Sequence, residues 1–472
     1  MSQLFEGVQR IVLHGTPWKE ARHLVLDFAA SSMPLNFLHQ LLRPEPNRWP
    51  SVARKGEQPK LQVSLGFSRR GLERACVPAH VLACFALKAP AFWEGAVLRA
   101  GRHLGLSGRN APSEWLDAFA WTKLDAVLSL HAMEEATVDV AVQTVVRRAE
   151  EAKVSVCALQ PARSLKPPAD APENTKAQWV HFGLRDGVAR IGIEGWDNEE
   201  KLKSLTAASR HRAGEFLLGH PQNSGANPWI AGPGPRVWPM EVRDFFRNGS
   251  FGVLHQVHQD VMAFEHFVRL RAEETQLDAN LLKAKLCGRF PDGRSPAAPK
   301  DADPEADFKY SGDPEGHACP FGSHARRMNP RDDALSHAGR RRPLLRRGMP
   351  YGPAWPQSVE KPEIQRGLIG HFFCASIEDQ FEHLLGQWAD RIPMGSKDGG
   401  GARDPLIGAH EFGDGPFEIP LPPEQAERPL RLYGLPPFAR TMGSAYLFYP
   451  SLQTLQGIAD SSVWGAADQE NP

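Results

Sequence analysis

Residues 125–160 read DAVLSLHAMEEATVDVAVQTVVRRAEEAKVSVCALQ and change their hydrophobic period twice. Asp125–Met133 and Val154–Gln160 are short apolar segments, which predicts strands. Glu134–Lys153 between them has the apolar spacing of an amphipathic helix. A strand, a helix and a second strand therefore follow one another in the first half of the chain.

The same order recurs along the chain, and the strands lie too far apart for simple hairpins. We therefore predict an α+β fold of two ferredoxin-like halves, each an antiparallel sheet covered by helices. The further predicted strands are Leu61–Ser68, Ser250–Asp260, Leu368–Ser376 and Ser444–Pro450, and the further predicted helices are Pro78–Lys88, Val261–Glu274, Ile377–Ala389 and Leu452–Asp460.

The length of 472 residues favours two domains, because single cores stop growing near ~250–300 residues. Residues 220–239, HPQNSGANPWIAGPGPRVWP, have neither a helical nor a strand period and predict a connecting loop. We expect an N-terminal domain at 1–219 and a C-terminal domain at 240–472. Two more loops are predicted at Phe290–Gly316 and Pro393–Gly415.

Composition excludes several classes of protein. The 55 basic and 55 acidic side chains cancel, so bulk charge predicts no nucleic-acid partner. No apolar run approaches the ~18 residues that span a bilayer, and the N-terminus lacks the pattern of an export signal, so we expect a cytoplasmic protein without a membrane partner. The six cysteines form no C-x-x-C pair, which argues against a disulfide framework.

The first candidate motif is G-x-x-D-G at Gly183–Gly187. Glycines at both ends allow sharp turns and leave room beside a flat ligand, while Asp186 would be presented from a constrained loop. A plain turn with an aspartate cap explains the same pattern.

The second motif is Cys319–Asp333, CPFGSHARRMNPRDD, in which His324 lies among arginines. The segment could be a solvated basic surface. His324 could also bind haem iron, with arginines placed for the haem propionates. A zinc site of His317, Cys319 and His324 is a weaker interpretation, because no second cluster completes four ligands.

The third motif is Arg340–Gly352, RRRPLLRRGMPYG. It could be a basic loop, or it could aim one arginine at a place where negative charge develops during a reaction.

The three motifs together resemble those of the dye-decolourising (DyP-type) peroxidase family. That family carries G-x-x-D-G, then C-P-F-x-x-H-x-R-x-x-N-P-R, then R-R-G, in this order, and the resemblance extends over most of residues 61–460. His324 precedes Arg346 by 346 − 324 = 22 residues. By resemblance, Asp186 is the catalytic aspartate, His324 the proximal iron ligand and Arg346 the distal arginine.

The resemblance implies one non-covalent haem b per chain, bound in the C-terminal half. It implies an enzyme that reduces hydrogen peroxide and oxidises dyes, phenolic or other aromatic reductants through an oxyferryl intermediate. Asp404, in a segment similar to the family's, is a candidate acceptor for the far nitrogen of His324, although a strand-capping aspartate explains it as well. The other residues expected at the haem are Gly183, Gly187, Arg326 and Arg331.

Some positions and functions stay open at the level of sequence. Gly370 and His371 depart from the large apolar residues of the family, and we expect His371 to be a surface residue of a strand. Trp388 or Tyr351 could lie near the surface and relay electrons. A haem carrier or sensor, or a structural protein without haem, would share the fold, and an oligomer remains compatible with the sequence.

Overall fold

The computed structural model describes residues 3–15, 18–31, 34–42, 51–167, 178–230, 237–332, 341–355, 364–390, 403–410, 414–426 and 428–460. Its strands are β1 Glu20–Asp27, β2 Leu61–Phe67, β3 Ala126–Ala132, β4 Ser155–Ala158, β5 Ala162–Arg163, β6 Gln178–Trp179, β7 Arg185–Asp186, β8 Gly192–Glu194, β9 Arg210–Arg212, β10 Ser250–Gln259, β11 Leu345–Arg346, β12 Met349–Tyr351, β13 Gly367–Cys374, β14 Phe417–Ile419, β15 Leu430–Leu432 and β16 Ala439–Tyr449.

The helices cover the strands, and one of them, Ile377–Ala389, is a π-helix. The α-helices are α1 Arg10–Leu13, α2 Pro34–Leu42, α3 Arg69–Arg74, α4 Ala79–Lys88, α5 Pro90–Glu94, α6 Ala96–Leu104, α7 Glu135–Glu151, α8 Glu199–Lys203, α9 Met240–Phe246, α10 Val261–Thr275, α11 Ala279–Cys287, α12 His324–Met328 and α13 Leu452–Asp460. None of the described helices is long and apolar enough to cross a membrane.

The two halves repeat one strand order. In the first half, β1 lies between β4 and β3, and β2 pairs with the other edge of β3, all antiparallel. In the second half, β10 lies between β16 and β13, and β11 and β12 pair with the other edge of β13. Each half thus has the order fourth, first, third, second that a ferredoxin-like fold requires, which confirms the predicted fold class.

The sequence led us to expect two separate half-sheets. Instead, the two half-sheets join along two seams into one sheet. Phe448 of β16 pairs with Phe67 of β2, and Tyr351 of β12 pairs with Ala162 of β5. Because β10 also pairs with β13, the path through the strands returns to its start and the sheet is closed. The predicted domain boundaries stay a prediction, but the halves share an inner apolar core.

Most predicted elements appear within a few residues of their expected ends, and β1 is the main omission. Its sequence, EARHLVLD, places charged and apolar residues next to each other, so strand periodicity is hidden. Both faces are buried, and Arg22 is accommodated by ion pairs with Glu20, Glu135 and Asp139. The predicted loop 290–316 contains only a short 3-10 turn at its end, whereas much of the predicted loop 393–415 and the tail after Asp460 lie outside the described residues.

A buried ion pair ties the halves together outside the sheet. Arg99 of α6 binds Glu382 of the π-helix with two hydrogen bonds of 2.7 Å, and the two side chains are 6% and 5% exposed. Tyr446 donates a third hydrogen bond to the same carboxylate, at 3.0 Å. Burial would lower the pKa of Arg99, but the bonds to Glu382 outweigh it and raise that pKa, so the charged form is held.

Replacing Arg99 with Met should lower the free energy of unfolding by ~3–5 kcal/mol, because it leaves the Glu382 carboxylate buried without its counter-ion. Urea unfolding followed by circular dichroism measures this change. Lys203→Met is the matched control, because its ion pair with Glu199 is exposed and such pairs contribute ~0–1 kcal/mol. Equal unfolding midpoints for the two variants would contradict the assignment.

Candidate active site

His324 is the first residue of the short helix α12. The turn before this helix is stabilised by hydrogen bonds to Asp313. The Asp313 carboxylate accepts hydrogen bonds from the backbone N–H groups of Ala318 and Cys319, at 2.9 and 2.8 Å. Gly288 ends α11 with a φ of +82°, and a Cβ there would lie 2.9 Å from the Ser323 hydroxyl. The close approach of α11 therefore fixes the direction in which the His324 side chain leaves its helix.

The imidazole of His324 is oriented by a buried carboxylate. Nδ1 of His324 lies 3.0 Å from Oδ2 of Asp404 and 3.2 Å from Oδ1. Asp404 is fully buried, whereas the His324 side chain is 24% exposed. An ionised carboxylate only accepts hydrogen bonds, so Nδ1 carries a proton, and the neutral tautomer with this proton has its lone pair on Nε2.

Asp404 stays ionised in spite of its burial. Burial alone would raise the pKa of its carboxyl, but His324, Arg327 and the N–H of Leu406 together leave that pKa below its ordinary value. The backbone N–H groups of Leu406 and Ile407 donate to Oδ1 at 2.9 and 3.1 Å. The carboxylate therefore both caps the turn after it and holds His324, whereas residues 403–410 contain no strand, so the strand-capping interpretation was wrong.

Asp186 lies on β7, which pairs with β6 in a small hairpin. One glycine precedes β7 and another follows it. Gly183 and Gly187 have φ angles of +71° and +75°, a left-handed conformation that favours glycine. A Cβ at Gly187 would meet no atom within 4 Å, and one at Gly183 would meet only the Lys283 ammonium, at 3.9 Å. The loop thus turns sharply and leaves open space beside Asp186.

Arg346 meets Asp186 although 160 residues separate them in the chain. Nη2 of Arg346 lies 3.5 Å from Oδ1 of Asp186, and the two side chains are 45% and 29% exposed. The next residue, Arg347, points away and donates to the carbonyls of Ile11 and Val12 at 2.9 and 2.8 Å. Burial lowers the pKa of Arg347 to about 10, and Arg346 alone of this pair faces the open space.

Two arginines expected at the haem are bound to carboxylates. Arg326 is 1% exposed, and its guanidinium binds the Asp313 carboxylate at 3.0 Å and the Cys319 carbonyl at 2.7 Å. The Arg331 side chain is 4% exposed and forms an ion pair with Asp307. Both arginines stabilise the loops that carry His324, and their contacts with haem stay a prediction. No sequence pattern indicated their partners, Asp307 and Asp313.

The sequence-based predictions of a zinc site and of three surface residues were wrong. The zinc interpretation fails, because within the described ranges no three His, Cys, Asp or Glu side chains are grouped to hold a metal ion. His371 is fully buried, so it is not a surface residue. Tyr351 and Trp388, expected near the surface, are 1% and 5% exposed.

Known proteins are similar to this chain over most of its length. The chain is 24% identical over 438 residues to dye-decolorizing peroxidase msp1 of Mycetinis scorodonius, which covers 85% of this chain and 77% of the relative. It is 26% identical over 392 residues to the dye-decolorizing peroxidase of Mycena epipterygia, which covers 74% and 69%. The chain is therefore similar to dye-decolorizing peroxidases over most of its length.

The fold of the chain is also that of solved structures. A dye-decolorizing peroxidase in complex with 2,6-dimethoxyphenol superposes with a TM-score of 0.73 at 21% identity, over 96% of this chain and 99% of the other. No family model matches the chain. The similarity therefore rests on relatives matched over 77% and 69% of their length and on the superposition of the fold.

The residues of the candidate site fit a haem group. His324 offers one imidazole nitrogen whose orientation the Asp404 carboxylate fixes. The glycines on either side of Asp186 leave space for a flat ligand. The sequence lacks C-x-x-C-H, so thioether attachment is not expected.

Replacing Asp404 with Asn should raise the reduction potential of haem-loaded protein, because a neutral amide makes the His324 imidazole a weaker electron donor. Metal affinity or activity typically falls ~10–100-fold when such a partner is lost. Spectroelectrochemical titration measures the potential. Asp390→Asn is the control, because Asp390 is also buried but its carboxylate accepts from the N–H of Ala409 at 2.8 Å; an equal shift in both variants would contradict the role of Asp404.

Proposed function

We propose that this chain is a haem peroxidase that reduces hydrogen peroxide and oxidises dyes, phenolic or other aromatic compounds. The observation that carries the proposal is the coexistence of an imidazole held by a buried carboxylate and an exposed Asp186–Arg346 pair. Relatives named as dye-decolorizing peroxidases over most of the chain support it.

His324 would hold one non-covalent haem b per chain through Nε2. Bound haem supplies an iron centre that takes up peroxide and exchanges electrons. The Asp404 carboxylate accepts the Nδ1 proton and so makes the imidazole a better electron donor. This part of the site needs no side chain from the N-terminal half.

Asp186 and Arg346 would act on the peroxide. The Asp186 carboxylate takes a proton from one peroxide oxygen and returns it to the other, which becomes the leaving oxygen. The Arg346 guanidinium keeps its charge throughout and stabilises the negative charge that develops as the O–O bond breaks. Their ion pair is open to solvent, so it contributes little to stability and both groups can turn to a ligand.

Aromatic compounds are the proposed reductants. The structural relative described above was solved with 2,6-dimethoxyphenol, and the same class of substrate is inferred for this chain. A haem carrier or sensor requires neither a proton carrier nor a fixed cation beside the ligand. The absorption spectrum and a peroxide-dependent dye assay on one sample distinguish these functions, because a carrier would show the haem band without turnover.

His324→Ala should lose the haem band or bind haem weakly with altered ligation, because among the described residues no other donor at the site is held in this way. The spectrum and the haem content after reconstitution with haemin measure the loss. His266→Ala is the control, because His266 is exposed on α10. Full occupancy with an unchanged spectrum in His324→Ala would show that another residue is the ligand.

Arg346→Leu and Asp186→Asn should each slow the first spectral change after peroxide mixing by ~10²–10⁴-fold. Arg346→Leu should be at least as damaging, because water can carry a proton but cannot replace a fixed cation. Stopped-flow absorption measures the rate constant.

The control for this pair is Arg109→Leu, an exposed arginine distant in sequence from the site. It is a better control than Arg347→Leu, which would remove the bonds from Arg347 to α1. A wild-type rate in Arg346→Leu would exclude charge stabilisation at this position.

A further inference from the structure

The interior of the closed sheet contains three histidines among its apolar side chains. His23 of β1, His131 of β3 and His371 of β13 are each at most 2% exposed. Each lies an even number of positions along its strand from an apolar residue of the inner core, namely Ala21, Val127 or Ile369, so it faces the inside of the closed sheet. The ring centroid of His23 lies 5.6 Å from that of His131 and 6.1 Å from that of His371.

Tyr449, at the end of β16, binds this group. Its hydroxyl lies 2.7 Å from Nε2 of His371, and the residue is 1% exposed. Two strand glycines make room for the ring: a Cβ at Gly66 would lie 2.5 Å from Cζ of Tyr449, and one at Gly252 would lie 2.4 Å from Cε2. Glycine weakens a strand interior. Two strands nevertheless have glycine beside the Tyr449 ring, because any larger residue would overlap with it.

The imidazole beside the phenol is a neutral base. Burial, together with His23, His131 and Arg347, lowers the pKa of His371 well below its ordinary value. Burial also raises the pKa of Tyr449, so the phenol keeps its proton at rest. Nδ1 of His371 has no hydrogen-bond partner among the described residues. With the proton on Nδ1, Nε2 is free to accept the phenolic hydrogen.

The pair adjoins the candidate active site through one strand. Phe372, next to His371 on β13, pairs with Arg346 of β11. The N–H of Arg347 donates to the carbonyl of His371 at 2.8 Å. Neighbouring side chains of a strand point to opposite faces, so His371 points inward from β13, and Arg346 lies on the strand that pairs with β13.

We propose that Tyr449 and His371 form a proton-coupled redox pair that takes up an oxidising equivalent from the active site when external reductant is scarce. The proposal rests on the peroxidase function. Tyr449 gives one electron to the peroxide-oxidised cofactor, its O–H bond breaks, and the proton forms an N–H bond at Nε2 of His371. The products are a neutral tyrosyl radical, an imidazolium and a cofactor reduced by one electron.

Burial explains what the pair would be for. No dye can contact a phenol that is 1% exposed, so the radical is kept from side reactions at the surface. Of the five tyrosines in the chain, all within the described residues, only Tyr449 has its hydroxyl bound to an imidazole. Tyr446, on the same strand, donates instead to the Glu382 carboxylate and is the matched control.

The test is high-field electron paramagnetic resonance with ¹⁵N double resonance. Haem-loaded protein labelled with ¹⁵N-histidine is mixed with one equivalent of peroxide without reductant and frozen. We expect a tyrosyl radical coupled to one imidazole nitrogen, at least tenfold weaker in Tyr449→Phe and unchanged in Tyr446→Phe. A signal without ¹⁵N coupling in the wild type overturns the proposal without needing a variant, and so does a full signal in Tyr449→Phe.

Dye oxidation in the same preparation separates failure of the pair from failure of the peroxidase function. Dye turnover without a tyrosyl radical overturns the proposal of the Tyr449–His371 redox pair but leaves the proposed peroxidase function intact. Absence of turnover counts against the peroxidase function, and ultraviolet photolysis of the same frozen protein then tests the pair directly. In that arm a tyrosyl radical with ¹⁵N coupling supports the pair, and its absence overturns it.

Discussion

Closure of the sheet is the constraint on which the rest of the structure depends. Two single pairings, Phe448 with Phe67 and Tyr351 with Ala162, convert two ferredoxin-like half-sheets into one closed sheet. Closure places the two halves against each other, and Asp186 of the first half meets Arg346 of the second at 3.5 Å. Closure also creates an enclosed interior whose side chains are buried.

The two side-chain pairs of the site are built in opposite ways, and the difference matches their proposed roles. His324 and Asp404 are held by burial and by backbone N–H groups, so the imidazole keeps one orientation. Asp186 and Arg346 are partly exposed and loosely paired. A ligand of iron benefits from a fixed direction, whereas groups that move a proton or follow developing charge must reach the reacting atoms.

The sequence predicted the strand and helix order, and its motifs predicted His324, Asp186 and Arg346, because periodicity and short motifs are local properties. It failed for contacts that tertiary structure creates. Nothing near Arg326 indicates that Asp313 binds it, and the strand pattern around His371 is equally compatible with the surface and with a sheet interior. Closure could not be inferred, because each seam depends on one residue pair far apart in sequence.

Arg347 shows the same limit at the scale of one residue. Arg346 and Arg347 are chemically identical in the motif, and only the backbone of β11 decides that one faces Asp186 and the other α1. Family resemblance distinguished the two where residue chemistry could not. The structure supplies the physical reason, which is the alternation of side chains along an extended segment.

The most direct test of the central claim is a crystal structure of the haem-loaded protein. The account predicts iron coordinated by Nε2 of His324, with Nδ1 of His324 still bound to Asp404, and with Asp186 and Arg346 on the opposite face of the porphyrin. Iron bound by another residue would contradict the account. So would Asp186 and Arg346 lying on the same face as His324, because neither could then act on peroxide bound at the open iron position.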